Sequence, residues 1–390
     1  MTSPLSSEGY TRHNSVRLLR GGQPYFDAML ELINAAASTI HLQVYIFEKD
    51  ETGRRIVDAL LNAASRKVAV YLLLDAYGSQ QFSRQWVAEV KAAGIHFRWF
   101  EPLLRASHFY FGRRLHHKVM VVDGDKALVG GVNISNRYND LPENHAWLDW
   151  AVLTGGEAAR QLNTICFNIF NKAGWGKKKN RNYRPAPVEG KAKGDQLVRV
   201  RREDWVRSKS EISRSYLSML ASAEEEVVLL SSYFLPGPQM RRALARAAQR
   251  GVIVKVIAAG KSDVWLAKAA ERYLYRWLLK NNIRLFEYQA NILHGKISTA
   301  DCRWTTVGSY NVNFISAFAS IELNLEILDD QFAVSLKQQL DTVIAEDCVP
   351  ITSENWLSRE HLGQRIMQKL AYETVRLIFF VFTFYFRQGK

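Results

Sequence analysis

The sequence predicts an α/β protein built twice over: two mixed sheets flanked by helices, related by a pseudo-twofold axis, with one active site at their interface. Three observations carry this expectation. The stretch HHKVMVVDGDKALVGGVN, His116 to Asn133, returns in near copy as HGKISTADCRWTTVGSYN, His294 to Asn311. Ahead of each copy, strand-like and helix-like runs alternate. The helical spacing of Ile56, Ala59, Leu60, Ala63 and Ala64 also recurs 184 residues later at Met240, Ala243, Leu244, Ala247 and Ala248.

Taken in order, the opening MTSPLSSEGYTRHNSVRLLRGG has no apolar run of the kind a secretory signal needs. Phe26, Met29, Leu30 and Ile33 then form a helical stripe, and Ile40 to Phe47 reads as a strand. A helix over Ile56 to Ala64 is followed by the strand Val68 to Leu74. The second half repeats the pattern with strands at Val227 to Leu230 and Val252 to Ile257. Such alternation argues for a parallel or mixed sheet in each half, covered by helices on both faces.

Within each motif a His is followed by Lys two residues on, Asp seven, Gly fourteen and Asn seventeen. The pairs are His116 with His294, Lys118 with Lys296, Asp123 with Asp301, Gly130 with Gly308, and Asn133 with Asn311. Val119 to Val122 is an apolar run that reads as a buried strand; Ile297 to Ala300 is its weaker counterpart. Imidazole can attack phosphorus, or pass a proton to a leaving oxygen, near neutral pH. Two of them, one neutral and one protonated, suffice for a double displacement at a phosphodiester. Two Lys and two Asn would donate to the non-bridging oxygens. A single H-x-K-x4-D arises by chance in only on the order of a few per cent of chains of this length, so two matched copies are not accidental.

These residues resemble the phospholipase D superfamily, whose doubled motif H-x-K-x4-D-x6-G-[SG]-x-N both stretches satisfy. The likeness extends over nearly the whole chain and is greatest to the bacterial cardiolipin synthases of the B type. It is carried also by YIFEKDETGRRIVDALLNAASRKVAVYLLLD, by the glycine pair of GGVN, by SSYFLPGPQMRRALARAAQRGVIVKVI and by LNLE after the second motif. Where many relatives follow the second motif with an Asp-Pro-Arg-Ser-like run, this chain reads VNFIS, so no role for that Arg carries over. The resemblance implies a duplicated phospholipase D-like fold with catalytic His116, Lys118, Asp123, His294, Lys296 and Asp301. It further implies that Asn133, Asn311, Ser135 and Ser309 hold the phosphate, and that a carboxylate about 32 residues beyond each motif His orients an imidazole. By that count the carboxylates are Asp149 and Glu326, with Glu322 the second choice.

Bulk composition is that of a globular protein of 390 residues, with 47% hydrophobic and 23% charged residues. Its charge of +14 implies an anionic partner, either nucleic acid or an acidic membrane surface. Cys166, Cys302 and Cys348 offer neither a disulfide framework nor a metal-ligand spacing, which suits a reducing compartment. No window of 18 uncharged apolar residues marks a spanning helix. His108, His117 and His145 lack the companions of a metal site, so no metal and no cofactor are expected. The Gly260 to Ser262 GKS lacks the earlier glycine of a phosphate-binding loop, because Lys255 stands there.

The chain therefore divides into a first repeat (1–171), a basic linker (172–210), a second repeat (211–349) and a tail (350–390). Thirteen Lys or Arg against four Asp or Glu between 172 and 209 supply +9 of the total. With Trp175 and Tyr183 interleaved, that segment reads either as a solvated linker or as an interfacial membrane contact. About ten extra residues precede the first motif. There, Phe109, Tyr110 and Phe111 with Arg113 and Arg114 read as a lipid-facing loop whose arginines take head-group phosphate. In the tail, Ile366, Met367, Leu370, Ala371, Thr374, Leu377 and Ile378 share one helical face, and the apolar run Leu377 to Phe386 is too short to span a bilayer.

The expectation is thus a phosphatidyltransferase, a cardiolipin synthase by resemblance. It would act on phospholipid substrates at an anionic membrane surface, peripheral or monotopic, at the cytoplasmic face of the bacterial inner membrane. His116 would be the nucleophile and His294 the acid. A hydrolase or nuclease of the same superfamily is the alternative, although the apolar tail and aromatic loop argue against a nucleic-acid partner.

Overall fold

In the computed structural model the described residues are 9–101, 114–173, 194–204, 209–262, 264–313, 320–358 and 360–387, with side chains described to residue 378. The first half begins with β1 (Thr11–Arg20), β2 (Thr39–Val44), β3 (Ala69–Asp75), β4 (His96–Phe100), the two-residue β5 (Arg114–Leu115), β6 (Lys118–Val122), β7 (Lys126–Gly130) and β8 (Trp150–Gly156). Strands β2, β3 and β4 are parallel, with crossover helices Glu51–Ser65 and Arg84–Ala92; β6, β7, β8 and β1 then add antiparallel on the other side of β2. The parallel strands TIHLQV and AVYLLLD are buried on both faces, which is why they read as near-continuous apolar runs rather than alternating ones.

The second half repeats this order. After β9 (Gln196–Asp204) and the short β10 (Lys209–Ser210), it contains β11 (Glu226–Ser231), β12 (Ile253–Ala259), β13 (Arg284–Tyr288), β14 (Lys296–Ala300), β15 (Trp304–Gly308), β16 (Ser320–Leu328) and β17 (Cys348–Ile351). Strands β11, β12 and β13 are parallel, while β14, β15, β16 and β9 follow antiparallel. Strand β9 therefore stands to its half as β1 stands to the first. The two strands pair with each other at Thr11 with Val198 and Asn14 with Gln196.

This pairing corrects two expectations. The two sheets are not separate, because β1 and β9 hydrogen-bond them into one large mixed sheet that turns back on itself. Nor is 172–210 all linker: RVRR belongs to β9, where Arg199 pairs with buried Glu326 rather than facing solvent. Residues 174–193, with KKKNR, lie outside the described residues.

Between the two halves lies a shared core. Val119, Val121, Val129 and Trp150 from one side meet Leu230, Ile297, Val307 and Leu325 from the other, together with the helices Glu157–Lys172 and Asp330–Asp347. Separate cores lie outside each half-sheet, under the crossover helices. The central layer is what brings the two motifs together.

The C-terminal helix Leu362–Arg387 packs Ala371, Tyr372 and Val375 onto Ala269, Ala270 and Leu274 of the second half. Of its other described apolar residues, Ile366, Leu370 and Leu377 are 52%, 63% and 61% exposed. No helix among the described residues is long and apolar enough to cross a membrane.

Candidate active site

Strands β6 and β14 enter the sheet just after the motif histidines, and each histidine docks on the opposite half. The backbone N–H groups of His116 and His117 both donate to the carbonyl of Ile321, at 3.1 and 3.0 Å. Those of His294 and Gly295 donate to the carbonyl of Leu148, at 2.9 and 2.8 Å. The next residue after each acceptor carries the carboxylate. His116 Nδ1 lies 3.0 Å from Glu322 Oε2, and His294 Nδ1 lies 2.6 Å from Asp149 Oδ2. An ionised Glu322 only accepts, so Nδ1 carries the proton in His116, and in both rings the Nδ1 contact leaves Nε2 for the chemistry.

Glu322, not Glu326, thus orients His116. Glu326 touches neither imidazole: it accepts from Arg199 at 2.8 and 2.6 Å and from Tyr10 at 3.3 Å, beside Arg201. Sheet register gives the reason. Gly130 pairs with Ala151 and Gly308 with Asn324, and the carboxylate sits two residues before each partner, at Asp149 and Glu322. Counting along the chain from His fails because the connection after Gly308 is five residues shorter than that after Gly130. In the first half, a Cβ at Gly131 would lie 2.4 Å from the Asp149 carboxylate, which explains the second glycine of GGVN.

The two carboxylates differ. Glu322 also accepts from the hydroxyls of Ser309 and Ser320, at 2.5 and 2.6 Å. Burial alone would raise its pKa, but His116, then Lys118 and Ser309, hold it below the ordinary glutamate value. Asp149 is pushed up to about 7 by burial, against the pull of Lys296 and the Trp150 N–H. Burial lowers the His116 pKa, opposed by Glu322. It also lowers Lys118 to about 7.

Both motif lysines are buried and bond the carbonyl of their own histidine, and Lys296 Nζ also lies 3.0 Å from His294 Nδ1. Asn133 accepts from the Ile46 N–H at 3.1 Å and donates to the Tyr138 hydroxyl at 2.9 Å. Asn311 accepts from the Ser232 hydroxyl at 2.7 Å. These bonds tie each asparagine to the chain leaving β2 or β11, so they shape the site whether or not they touch a phosphate.

Other expected site residues do different work. Asp123 lies at the far end of β6, where its carboxylate accepts from the N–H groups of Ala37, Ser38 and Thr39 and from the Ser38 hydroxyl, at 2.7 to 2.9 Å. Asp301 repeats this on the N–H groups of Glu224, Glu225 and Glu226. Both are clamps on the strand-leading turn, away from the imidazoles. Ser135 gives its hydroxyl to Glu48 at 2.6 Å, and Ser309 serves Glu322. Arg114 donates to Asp75 and to the Glu101 carbonyl, while Arg113 and the aromatic loop lie outside the described residues. His117 bonds Gln43 at 2.9 Å, and burial lowers its pKa to about 3, so it is a neutral packing residue.

Sequence reasoning missed the aromatic groups at the imidazoles. The Tyr45 ring lies edge-on to His116 with centroids 4.9 Å apart, and Lys118 sits over it at 5.3 Å. Tyr138 lies edge-on to His294 at 5.0 Å, with Trp147 at 6.1 Å. The available signal was position: Tyr45 directly follows β2, and Tyr138 closes the turn after the first motif.

A family model described as "Cardiolipin synthase, PLD-like domain" matches residues 29–165 and 216–344. The chain is 33% identical over 379 residues to a cardiolipin synthase B of Salmonella typhimurium, covering 94% of this chain and 89% of that one. To the cardiolipin synthase B of Escherichia coli K12 it is 34% identical over 342 residues, covering 86% and 81%. Among solved structures, a phosphatidylserine synthase of Haemophilus influenzae shares the fold, with a TM-score of 0.73 over 94% of this chain and 95% of that one at 16% identity.

Proposed function

The chain belongs to the phospholipase D-like cardiolipin synthase family, and from that premise we propose that it transfers a phosphatidyl group by double displacement at one site. The donor is phosphatidylglycerol or phosphatidylethanolamine and the acceptor phosphatidylglycerol or glycerol. His116 Nε2 attacks the donor phosphorus, the bond to the leaving oxygen breaks, and that oxygen takes a proton from His294 Nε2. The acceptor hydroxyl then returns a proton to His294 and attacks phosphorus, and the P–N bond pair goes back to His116. Lys118 and Lys296 meet the charge on the non-bridging oxygens.

The observation that carries this reading is the pair of imidazoles, each held through Nδ1 by a buried carboxylate of the other half. The assignment of roles is supported by the environments. A low-pKa imidazole on an ionised Glu322 suits a neutral nucleophile. A pair in which Asp149 resists ionisation up to about pH 7 keeps a proton available for a leaving group.

Membrane attachment rests on the C-terminal helix. Its exposed arc of Ile366, Met367, Leu370, Leu377 and Ile378, with Arg365, Lys369 and Arg376 beside it, suits a helix lying in an anionic interface at the cytoplasmic face. Purified protein incubated with phosphatidylglycerol, phosphatidylethanolamine and glycerol should yield cardiolipin by mass, undiminished by chelators. His116→Ala and His294→Ala should each abolish it. Only phosphatidic acid from the wild type, or turnover by either variant, would refute the reading.

A further inference from the structure

The pseudo-twofold symmetry breaks at the reactive nitrogens. At His294, the Tyr138 hydroxyl stands 3.4 Å from Nε2. It receives the Asn133 amide at 2.9 Å, so the phenol's own proton is the one it can present toward the imidazole side. A separation of 3.4 Å is long for a direct hydrogen bond but allows one further oxygen to touch both groups. Among the described residues no tyrosine hydroxyl takes this place at His116: Tyr45 presents its ring, with Lys118 over it. The equivalent of Tyr45 in the second half is Ser232, whose hydroxyl is bonded to Asn311.

Tyr138 and Trp147 both come from the connection between the first motif and β8. The turn Asn136–Tyr138 buries the Tyr138 ring, which packs 5.2 Å from Trp147, and the Arg137 guanidinium lies over that indole, 5.1 Å from its centroid. The result is an apolar aromatic wall beside His294, with the Tyr138 hydroxyl near its reactive nitrogen.

We propose that Tyr138 and Trp147 form the subsite for the acceptor alcohol. There the acceptor oxygen accepts from the Tyr138 hydroxyl, gives its proton to His294 Nε2 and attacks the phosphohistidine, while its carbon chain lies on the two rings. Water satisfies the polar contacts but gains nothing from the aromatic wall, so the subsite favours alcohol over water as the second nucleophile. Tyr138 is on this view a positioning and specificity residue of the second displacement. The proposal rests on the phosphatidyl-transfer reading above.

The test measures labelled phosphatidylglycerol and phosphatidic acid together, with phosphatidylglycerol as donor and isotope-labelled glycerol varied as acceptor, because transfer to glycerol regenerates phosphatidylglycerol and only the label reveals it. Tyr138→Phe keeps the ring and Trp147→Phe keeps a smaller one, and thermal melting checks that each is folded. Tyr138→Phe should lower the ratio of transfer to hydrolysis at least fivefold and raise the KM for glycerol. Trp147→Phe should move the ratio in the same direction. Failure of the wild type to make any transfer product would refute the underlying reading. A wild type that transfers, with variants whose ratio is unchanged or whose two products fall together, would overturn this inference alone.

Discussion

Replacing Glu322 by Gln separates the carboxylate that sheet register selects from the one that linear spacing selects. Glu322 is fully buried, is held below the ordinary glutamate pKa, and accepts from His116, Ser309 and Ser320. An amide of the same shape keeps an oxygen for Nδ1–H but removes the negative charge that faces the imidazole as it becomes cationic. Two charges ~4 Å apart at an effective dielectric near 20 interact by about 4 kcal/mol. At about 1.4 kcal/mol per decade, loss of most of that lowers the rate by roughly 10²–10³-fold. Glu326→Gln should instead cost about 1–3 kcal/mol of stability, through weakened bonds to Arg199 and Tyr10, and leave turnover within threefold. The assay is turnover on a short-chain phosphatidylglycerol, with urea unfolding alongside. Glu322→Gln turning over within threefold of wild type, or Glu326→Gln as the slower enzyme, would refute the dyad.

Asp123→Ala should lose about 2–3 kcal/mol of stability while the folded enzyme keeps its turnover, because four hydrogen bonds at one turn are removed far from the imidazoles. Burial opposes ionisation of Asp123, but the donors at Ala37, Ser38 and Thr39 win and lower its pKa. Its contribution is therefore present above the ordinary carboxylate pKa and is lost as pH falls through the depressed folded value. Denaturation of wild type and variant should differ fully at pH 7 and converge in acid. Lys118, lowered to about 7 by burial, should take up a proton when a phosphodiester binds at pH 8. Calorimetry with glycerophosphoglycerol in two buffers of different ionisation enthalpy should show that uptake, and Lys118→Met should abolish it. Leu370→Glu with Leu377→Glu should remove binding to anionic liposomes and spare a soluble phosphodiester substrate, because both residues face away from the core. Equal loss on both substrates would place the helix in the catalytic body instead.

What the sequence made legible follows from periodicity and repetition. Apolar runs such as Val119 to Val122 fix a buried strand whatever its neighbours, so the repeated halves and the motif strands were readable. Strand β9 was not, because its arginines disguise a half-buried strand whose charges are met by Glu326 from another part of the chain. Asp123 and Asp301 share the motif with the histidines, but a strand of five residues carries them to its opposite end. Motif membership reports shared geometry of the turn and does not by itself report contact with the reacting atoms.

The division of labour between two near-identical motifs cannot come from the motifs themselves. Both supply the same His and Lys, and both histidines dock on a carbonyl and a carboxylate across the halves. What differs is supplied from outside. Glu322 beside His116 also accepts from Ser309 and Ser320 and is held below the ordinary glutamate value by His116, then Lys118 and Ser309, whereas Asp149 beside His294 lacks a bonded serine among its described partners and is pushed up to about 7 by burial. The same extra connection that brings Tyr138 and Trp147 to His294 also shifts Asp149 along the chain relative to its counterpart. The longer connection of the first half therefore accounts for the misleading spacing, and the aromatic residues at His294 lie on that same connection. Duplication supplies two equivalent imidazoles, and departures from the repeat then give each a different proton and a different neighbour.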